Sequence, residues 1–281
     1  MSGVPGRIQR PDLPLAVVIG AGGMGSAVAR RMAQTHRVLL ADIDGEAARE
    51  QADALARDGA DVHPLACDVT DTDAVAALSC MAEGLGGFRS LVHVAGLSIA
   101  ADDFARILAV NLRGPALVAA ALRPLARPGA SAILIASLAA HSVRPSPALI
   151  EVLGMPAAPD LADRVAGVLG AENATPAAAY ALSKVGLLQM ARREAANWGR
   201  VGARIVSLSP GLIATPMGAL AYEKSAGKRA MFAQTPLSRE GAMSEIADAV
   251  EFLASDRASF ISGTDLLVDG GLAAALGYPQ G

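Results

Sequence analysis

Aromatic residues, cysteines and any excess of basic charge are all scarce in this chain of 281 residues. Aromatic side chains make up 3% of it, with a single tryptophan, so a core must be assembled from aliphatic groups. The two cysteines, Cys67 and Cys80, offer neither a disulfide framework nor a metal-ligand pattern. Cys67, just before Asp68 at a strand end, reads as a small core residue, and a reducing cytoplasm is the expected compartment. Lys and Arg total 24 against 27 Asp and Glu, a formal net charge of −3 that gives no footprint for nucleic acid. No uninterrupted apolar run reaches the ~18 residues of a membrane span, so no membrane is expected. The Pro- and Arg-containing N-terminus lacks a signal peptide's apolar stretch. Apolar aliphatic mass is what the chain has in quantity: 52% of residues are hydrophobic and only 18% charged, enough for a large core.

Strand and helix patterns alternate along the whole length. Apolar β-branched runs place strands at 15–20, 37–42, 61–66, 90–95, 131–137, 203–209 and 264–269. Helical patterns lie between them, near 24–34, 45–57, 71–84, 102–126, 176–199 and 243–254. Such alternation predicts an α/β fold: a Rossmann-type doubly wound seven-stranded parallel sheet flanked by helices on both faces. Right-handed crossovers then put the strand C-terminal ends, and the ligand, along one edge. With no internal repeat and no dividing linker, residues 1–281 read as one domain.

The first strand runs directly into Gly20-Ala21-Gly22-Gly23-Met24-Gly25, which opens a helical pattern. A G-x-G-x-x-G loop between strand and helix permits a tight turn and brings backbone N–H groups to a pyrophosphate at the helix N-terminus. The second strand, from Arg37, ends in Asp42, where a carboxylate accepts hydrogen bonds from an adenosine ribose and repels a 2′-phosphate. NAD is therefore expected over NADP. The cationic alternatives, Arg30 and Arg31, lie further along the first helix and read as solvated surface.

In Ala179-Tyr180-Ala181-Leu182-Ser183-Lys184 a tyrosine and a lysine are four residues apart, on one face of a helix. A phenol normally ionises near pH ~10. A nearby fixed cation favours the phenolate, so Lys184 is expected to draw the Tyr180 pKa down and make it a general acid/base for a carbonyl or alcohol.

Taken together, these motifs resemble the short-chain dehydrogenases/reductases, over nearly the whole chain. The likeness includes Cys67-Asp68-Val69 after the third strand, Ala95-Gly96 after the fourth, Val110-Asn111 in the long helix near 102–126 and Ser137 at the end of the fifth strand. It continues through Ser209-Pro210-Gly211-Leu212-Ile213-Ala214-Thr215-Pro216 and ends in Gly263-Thr264-Asp265-Leu266-Leu267-Val268-Asp269-Gly270-Gly271. The resemblance implies a catalytic tetrad of Asn111, Ser137, Tyr180 and Lys184. In it Tyr180 exchanges a proton with the substrate oxygen, and Ser137 positions that oxygen. Lys184 tunes Tyr180 and holds the nicotinamide ribose, and Asn111 links Lys184 through a water to a proton relay. It also implies a cofactor site of Gly20, Gly22, Gly23, Met24, Gly25, Asp42, Ile43, Asp68, Val69, Ala95, Gly96, Tyr180, Lys184, Pro210, Gly211, Ile213 and Thr215. Asp68 would hold the adenine, and Ile213 the carboxamide. For Thr215 a bond to that amide or a phosphate and a simple turn or cap hydroxyl before Pro216 stay equally open. No metal is implied.

Three features depart from the family pattern. Its glycine loop is usually G-x-x-x-G-x-G preceded by Thr, where this chain has Ile19. Its Asn-Asn-Ala-Gly is here His93-Val94-Ala95-Gly96, and His93 reads as a satisfied structural histidine. Ser137 and Tyr180 are 43 residues apart, with a surplus at about 144–175 that carries several prolines around an expected helix, Leu161 to Leu169. Bacterial 3α-hydroxysteroid dehydrogenase/carbonyl reductases of the family are similar in having a long insertion here, and Ala195-Ala196-Asn197-Trp198-Gly199 echoes a run of theirs. The insert is expected to cover the substrate, to pack on a partner subunit, or both.

Leu97, Ser98, Ala139, His141, Leu212 and Met217, with Leu149, Leu153 and Met155 from the insert, are the expected pocket lining. Being mostly apolar, the set favours a hydrophobic small-molecule ketone or secondary alcohol, with Arg144 kept open as a carboxylate partner. His141 reads as an exposed turn residue or a substrate contact. Ala- and Leu-rich faces on the helices of Asn111 and Tyr180, and the apolar tail Leu272 to Tyr278, suggest a homodimer or homotetramer. The activity expected is NAD-dependent interconversion of an alcohol and a ketone. The rivals are a non-catalytic NAD-binding sensor or scaffold, and an NADP-linked carbonyl reductase.

Overall fold

The computed structural model describes residues 10–215 and 226–278. Strands β1 (Leu15–Ile19), β2 (Arg37–Asp42) and β3 (Val62–Ala66) alternate with helices α1 (Gly23–Met32), α2 (Gly45–Arg57) and α3 (Thr72–Gly84). After β4 (Phe88–His93) comes a helical run of α4 (Phe104–Leu108), a π-turn (Ala109–Arg113) and α5 (Gly114–Leu122). Beyond β5 (Ala126–Ile135) lie α6 (Pro147–Leu153) and α7 (Leu161–Leu169) of the insert, then the long α8 (Pro176–Arg200). The remainder is β6 (Arg204–Pro210), the two-residue β7 (Ile213–Ala214), α9 (Ala226–Gln234), β8 (Gly241–Ala242), α10 (Met243–Ala254), β9 (Asp265–Val268) and α11 (Leu272–Ala275).

Seven of the strands form one parallel sheet in the order β3-β2-β1-β4-β5-β6-β9. The expected strands are all present. β5 starts earlier than anticipated, through the irregular stretch around Pro128 and Gly129, where its pairing with β4 shifts register. Pro64 sits in β3, the edge strand, where a missing N–H leaves no internal ladder bond unmade. Strand order reverses between β1 and β4, so a crevice opens outside their C-terminal ends.

Side-chain alternation divides the core into two layers. Leu15, Val17, Ile19, Leu39 and Ala41 face α3, the α4–α5 run, α8 and the insert, whereas Ala16, Val18, Val38 and Leu40 face α1, α2 and α10. Trp198 is fully buried and meets Phe88 edge-on at 6.3 Å between ring centroids. The helical run Phe104–Leu125, with 22 residues and a mean hydropathy of 1.4, is by length and composition long and apolar enough to cross a membrane, although Arg106, Asn111, Arg113 and Arg123 interrupt it. Its Ile107, Leu108, Leu112, Val118 and Leu122 are instead fully buried in the core.

The insert packs on the core. Leu149, Val152, Leu153, Leu161 and Val165 are buried in the same core layer as α8, with α6 lying on α8 and α7 on α4. Leu149 and Leu153 are thus buried, and Met155 is exposed. Helix α7 occupies the expected residues, while α6 was not anticipated although Ser146 caps it and Pro147 opens it. The C-terminal tail also packs on its own chain: Leu272 and Ala273 join Leu138, with Leu212, Met231, Leu267, Leu276 and Tyr278 around them.

Candidate active site

The glycine loop is built by contacts that forbid side chains. Gly20 has φ +108°, and a Cβ on Gly25 would overlap the Gly20 carbonyl oxygen. Gly22 caps α1 without any side-chain hydrogen bond, and no heavy atom lies within 4 Å of where its Cβ would stand. This is a helix N-terminus whose first amides point from a backbone surface that an anion can approach. Met24 packs against the α1–α2–α10 core layer.

Asp42, at the end of β2, holds this loop in place. Its Oδ2 accepts the Ala21 N–H at 2.6 Å and its Oδ1 the Asp44 N–H at 2.9 Å. A carboxylate has about four lone-pair sites, so two remain for ribose hydroxyls. Ile43 beside it is 65% exposed, an apolar face available to a purine. Asp68 accepts from both the N–H and the hydroxyl of Thr70, and Val69 is buried against Gly114. Arg30 and Arg31 are at the far end of α1 and are ion-paired, Arg30 with Asp58 and Arg31 with Asp248 and Glu251.

At the C-terminal ends of β1 and β4, Val94 and Ala95 both donate to Ile19 O. Gly96 follows, close to two side chains: its Cβ position lies 3.1 Å from Asn111 Oδ1 and 3.6 Å from Lys184 Nζ. Asn111 is fully buried in the π-turn, a local widening that recurs at functional sites. Its Oδ1 accepts the Leu97 N–H at 2.7 Å and its Nδ2 donates to Leu97 O at 2.8 Å. The amide thus fixes the chain after Gly96.

Ser137 lies two residues past β5 and caps a 3-10 turn, Leu138–His141, accepting the Ala139 N–H at 3.2 Å. It also hydrogen-bonds the Tyr180 side chain. Lys184 Nζ stands 5.8 Å from the Tyr180 ring centroid and donates to Ile135 O at 2.9 Å. Ser137, Tyr180, Lys184 and Asn111 therefore converge at the strand ends, beside the glycine loop. Their protonation differs from expectation. Burial pushes the Tyr180 phenol up from its ordinary value, opposed by its bond to Ser137, and pushes the Lys184 ammonium down to about 8. Desolvation outweighs the phenol–ammonium attraction here, because both groups leave water together.

His93 is buried, as expected of a structural histidine, but not satisfied: Nε2 has no hydrogen-bond partner among the described residues. Burial, reinforced by the Lys184 charge, lowers its pKa to about 3, so it stays neutral. His141 is not exposed as expected: its Nε2 pairs with the Asp265 carboxylate at 3.0 Å, and the side chain is 11% exposed. Sequence spacing gave no sign of this pair. Cys67 is buried, with its thiol pushed up to about 11 by burial and by Asp68 and Asp71, which suits a core residue.

Pro210 closes β6, and Gly211 donates to Val268 O at 2.9 Å. Ile213 is buried in β7, which pairs with β8 at the start of α10, and Met243 of α10 packs 3.6 Å from the Cβ position of Gly23. Ile213 and the half-buried Thr215 thus reach the same edge as the glycine loop. Arg144 is exposed, and Pro216 and Met217 lie outside the described residues.

Comparison with known proteins shows the family and the fold. A family model described as enoyl-(acyl carrier protein) reductase matches residues 19–153 and 165–273, leaving part of the insert unmatched. A short-chain dehydrogenase/reductase, bsc3, of Alternaria brassicicola is 35% identical over 92% of this chain and 96% of its own. The cis-4-hydroxycyclohexanecarboxylate dehydrogenase of Sinomonas cyclohexanicum is 31% identical over 92% and 96%. Among solved structures, 7α-hydroxysteroid dehydrogenase in complex with NADH and 7-oxo glycochenodeoxycholic acid shares the fold. Its TM-score is 0.74 at 24% identity, covering 92% of this chain and 93% of that one.

Proposed function

Because the chain belongs to the short-chain dehydrogenase/reductase family, an oxidoreductase family that uses a nicotinamide cofactor, we propose that it interconverts a hydrophobic secondary alcohol and its ketone with NAD(H). One observation carries the reading: the Ser137–Tyr180 hydrogen bond lies beside the buried Lys184 ammonium, at the strand ends where the uncapped glycine loop opens.

The residues present fit the cofactor. The amides of Gly22, Gly23, Met24 and Gly25 would hold the pyrophosphate, Asp42 the adenosine ribose, and Ile43, Asp68 and Val69 the adenine side. Ala95, Gly96, Pro210, Gly211, Ile213 and Thr215 would border the nicotinamide. When bound, the cofactor supplies or accepts hydride at ring C4. Tyr180 Oη delivers a proton to the substrate oxygen during reduction and removes one during oxidation. Ser137 Oγ holds that oxygen within reach, and the Lys184 charge stabilises the phenolate each time it forms. Asn111 fixes Leu97 and so the floor next to Gly96. Burial keeps Tyr180 protonated at neutral pH, which suits proton donation to a ketone.

Preference for NAD over NADP is inferred from Asp42, since a carboxylate at the end of β2 would repel a 2′-phosphate, and Arg30 and Arg31 are ion-paired with other carboxylates. Preference for an apolar substrate is inferred from the mostly apolar side chains that follow the strand ends, Leu97, Ala139 and Leu212 among them. Thermal unfolding with NAD⁺, NADH, NADP⁺ and NADPH, on wild type and Asp42→Ala, tests the cofactor reading. Selective stabilisation by NAD(H) that fades in Asp42→Ala supports it, and stabilisation by NADP(H) overturns the Asp42 argument. Turnover of apolar cyclic ketones against polyols, followed by NADH absorbance, tests the substrate class. No response to any dinucleotide would favour a non-catalytic scaffold.

A further inference from the structure

We propose that His141 and Asp265 are positioning residues for Ser137, clamping the turn that carries the serine to the last strand of the sheet. The inference rests on the functional reading above only in taking Ser137 as the group that orients the substrate oxygen.

Ser137 is the cap of a single 3-10 turn, and His141 is that turn's last residue. Within the turn the backbone offers little restraint: Ala140 N–H bonds Ser137 O at 2.9 Å, and Ser142 N–H reaches Ala139 O only at 3.3 Å. The stronger anchor is a side chain. His141 Nε2 lies 3.0 Å from Asp265 Oδ2, and the two side chains are 11% and 7% exposed. A carboxylate only accepts, so His141 carries its proton on Nε2 to make this bond. The other oxygen, Oδ1, accepts from Ser207 Oγ at 2.6 Å, and Ser209 Oγ is 3.4 Å from the same imidazole nitrogen. Ser207 and Asp265 are register partners between β6 and β9. The turn after β5 is thereby tied across β6 to β9 by one buried polar network.

Apolar packing around Leu138 resists the turn's departure but not its rotation. A buried hydrogen-bonded carboxylate does resist rotation, because any other setting of the turn leaves a charged group unmatched in a low-dielectric interior. Ser137 has two tasks that need one fixed rotamer, accepting the Ala139 N–H and bonding Tyr180. A shift of about 1 Å at such a group costs roughly a hundredfold in rate, so loosening the clamp acts on kcat through Ser137.

The test uses His141→Ala, His141→Gln and Asp265→Asn, each alone and combined with Ser137→Ala, in the full chain. Amide exchange of the 137–142 segment is expected to quicken in His141→Ala and Asp265→Asn, with that of residues 20–25 unchanged. In steady-state assays kcat is expected to fall tenfold or more, roughly, while the NADH KM moves less than about twofold. His141→Gln, whose amide N–H can reach a carboxylate, restores part of the rate. In the Ser137→Ala background the His141 substitution should cost nothing further. Unchanged exchange in 137–142, or an equal loss of kcat with and without Ser137, overturns the proposal. The exchange measurement needs no turnover, so it decides the clamp even where the wild type is inactive. Inactivity together with no dinucleotide-induced stabilisation instead refutes the enzyme reading.

Discussion

Lys184→Met should make the protein more stable and inactive, and the gain should depend on pH in a defined direction. Lys184 is 4% exposed, and burial takes its ammonium from 10.5 down to about 8. At neutral pH that depression corresponds to about 3 kcal/mol of stability forfeited to keep a charge in the core. The sign follows from proton binding. Between about 8 and 10.5 the unfolded chain holds a proton that the folded chain has released, so wild-type stability rises with pH across this window. Below about 8 both states are protonated and the full penalty is present. Methionine removes the charge but leaves Ile135 O without its donor, a loss of about 1 kcal/mol. The net expectation near neutrality is a variant about 2 kcal/mol more stable, a rise in Tm of roughly 4–8 °C for a chain of this size. By pH ~9.5 about three-fifths of the penalty has been relieved in wild type, and the two proteins should converge. Urea unfolding of both across this range, with dinucleotide turnover as the parallel assay, measures the effect. A stability difference that stays constant with pH, or a variant less stable than wild type near neutrality, refutes the assignment of Lys184 as a buried cation.

Tyr180→Phe should lower kcat by roughly 10²–10⁴-fold while leaving stabilisation by NADH intact, since the phenol's proton transfer is lost and the glycine loop is untouched. Gly25→Ala should abolish dinucleotide-induced stabilisation at a cost of about 1–3 kcal/mol, because its Cβ overlaps Gly20 O, and retained NADH binding would show the loop to be displaced from this geometry. Deletion of residues 146–174 removes Leu149, Val152, Leu153, Leu161 and Val165 from the core, at about 1.5–3 kcal/mol each. That total rivals the whole stability of a domain, so the deletion should yield no soluble folded protein, and a folded product would show that the insert is dispensable.

Much of this architecture was legible because it is written in short-range spacing. β-Branched runs between helical patterns identified seven strands, and the sheet uses all seven. The glycine loop, Asp42 and the Tyr180–Lys184 pair are each defined within a few residues of chain, so strand–turn–helix and i,i+4 geometry brought them to one sheet edge as expected. Local signals were also present where reading failed: Ser146-Pro147 is a cap followed by a first-turn proline, yet the surrounding prolines masked α6. What spacing could not convey is pairing at a distance. His141 and Asp265 are 124 residues apart and Asn111 meets Leu97 across a 14-residue gap, so both partnerships exist only once the sheet has formed.

The charge state of the site was the other illegible quantity, for a physical reason. Four-residue spacing reports that Tyr180 and Lys184 meet, and attraction between them argues for a lowered phenol pKa. Spacing says nothing about what covers the pair. Here α8 buries Lys184 against β5, its Nζ donates to Ile135 O, and desolvation drives the phenol up and the ammonium down, so both are pressed toward neutrality. Nearby His93 obeys the same rule: buried beside Lys184, with Nε2 unpartnered, it remains neutral. An aliphatic core with few polar groups to share makes each such charge expensive, which is why Ser137's hydrogen bond to Tyr180 carries weight. Proximity chooses which groups react, whereas burial sets how many protons they hold when they do.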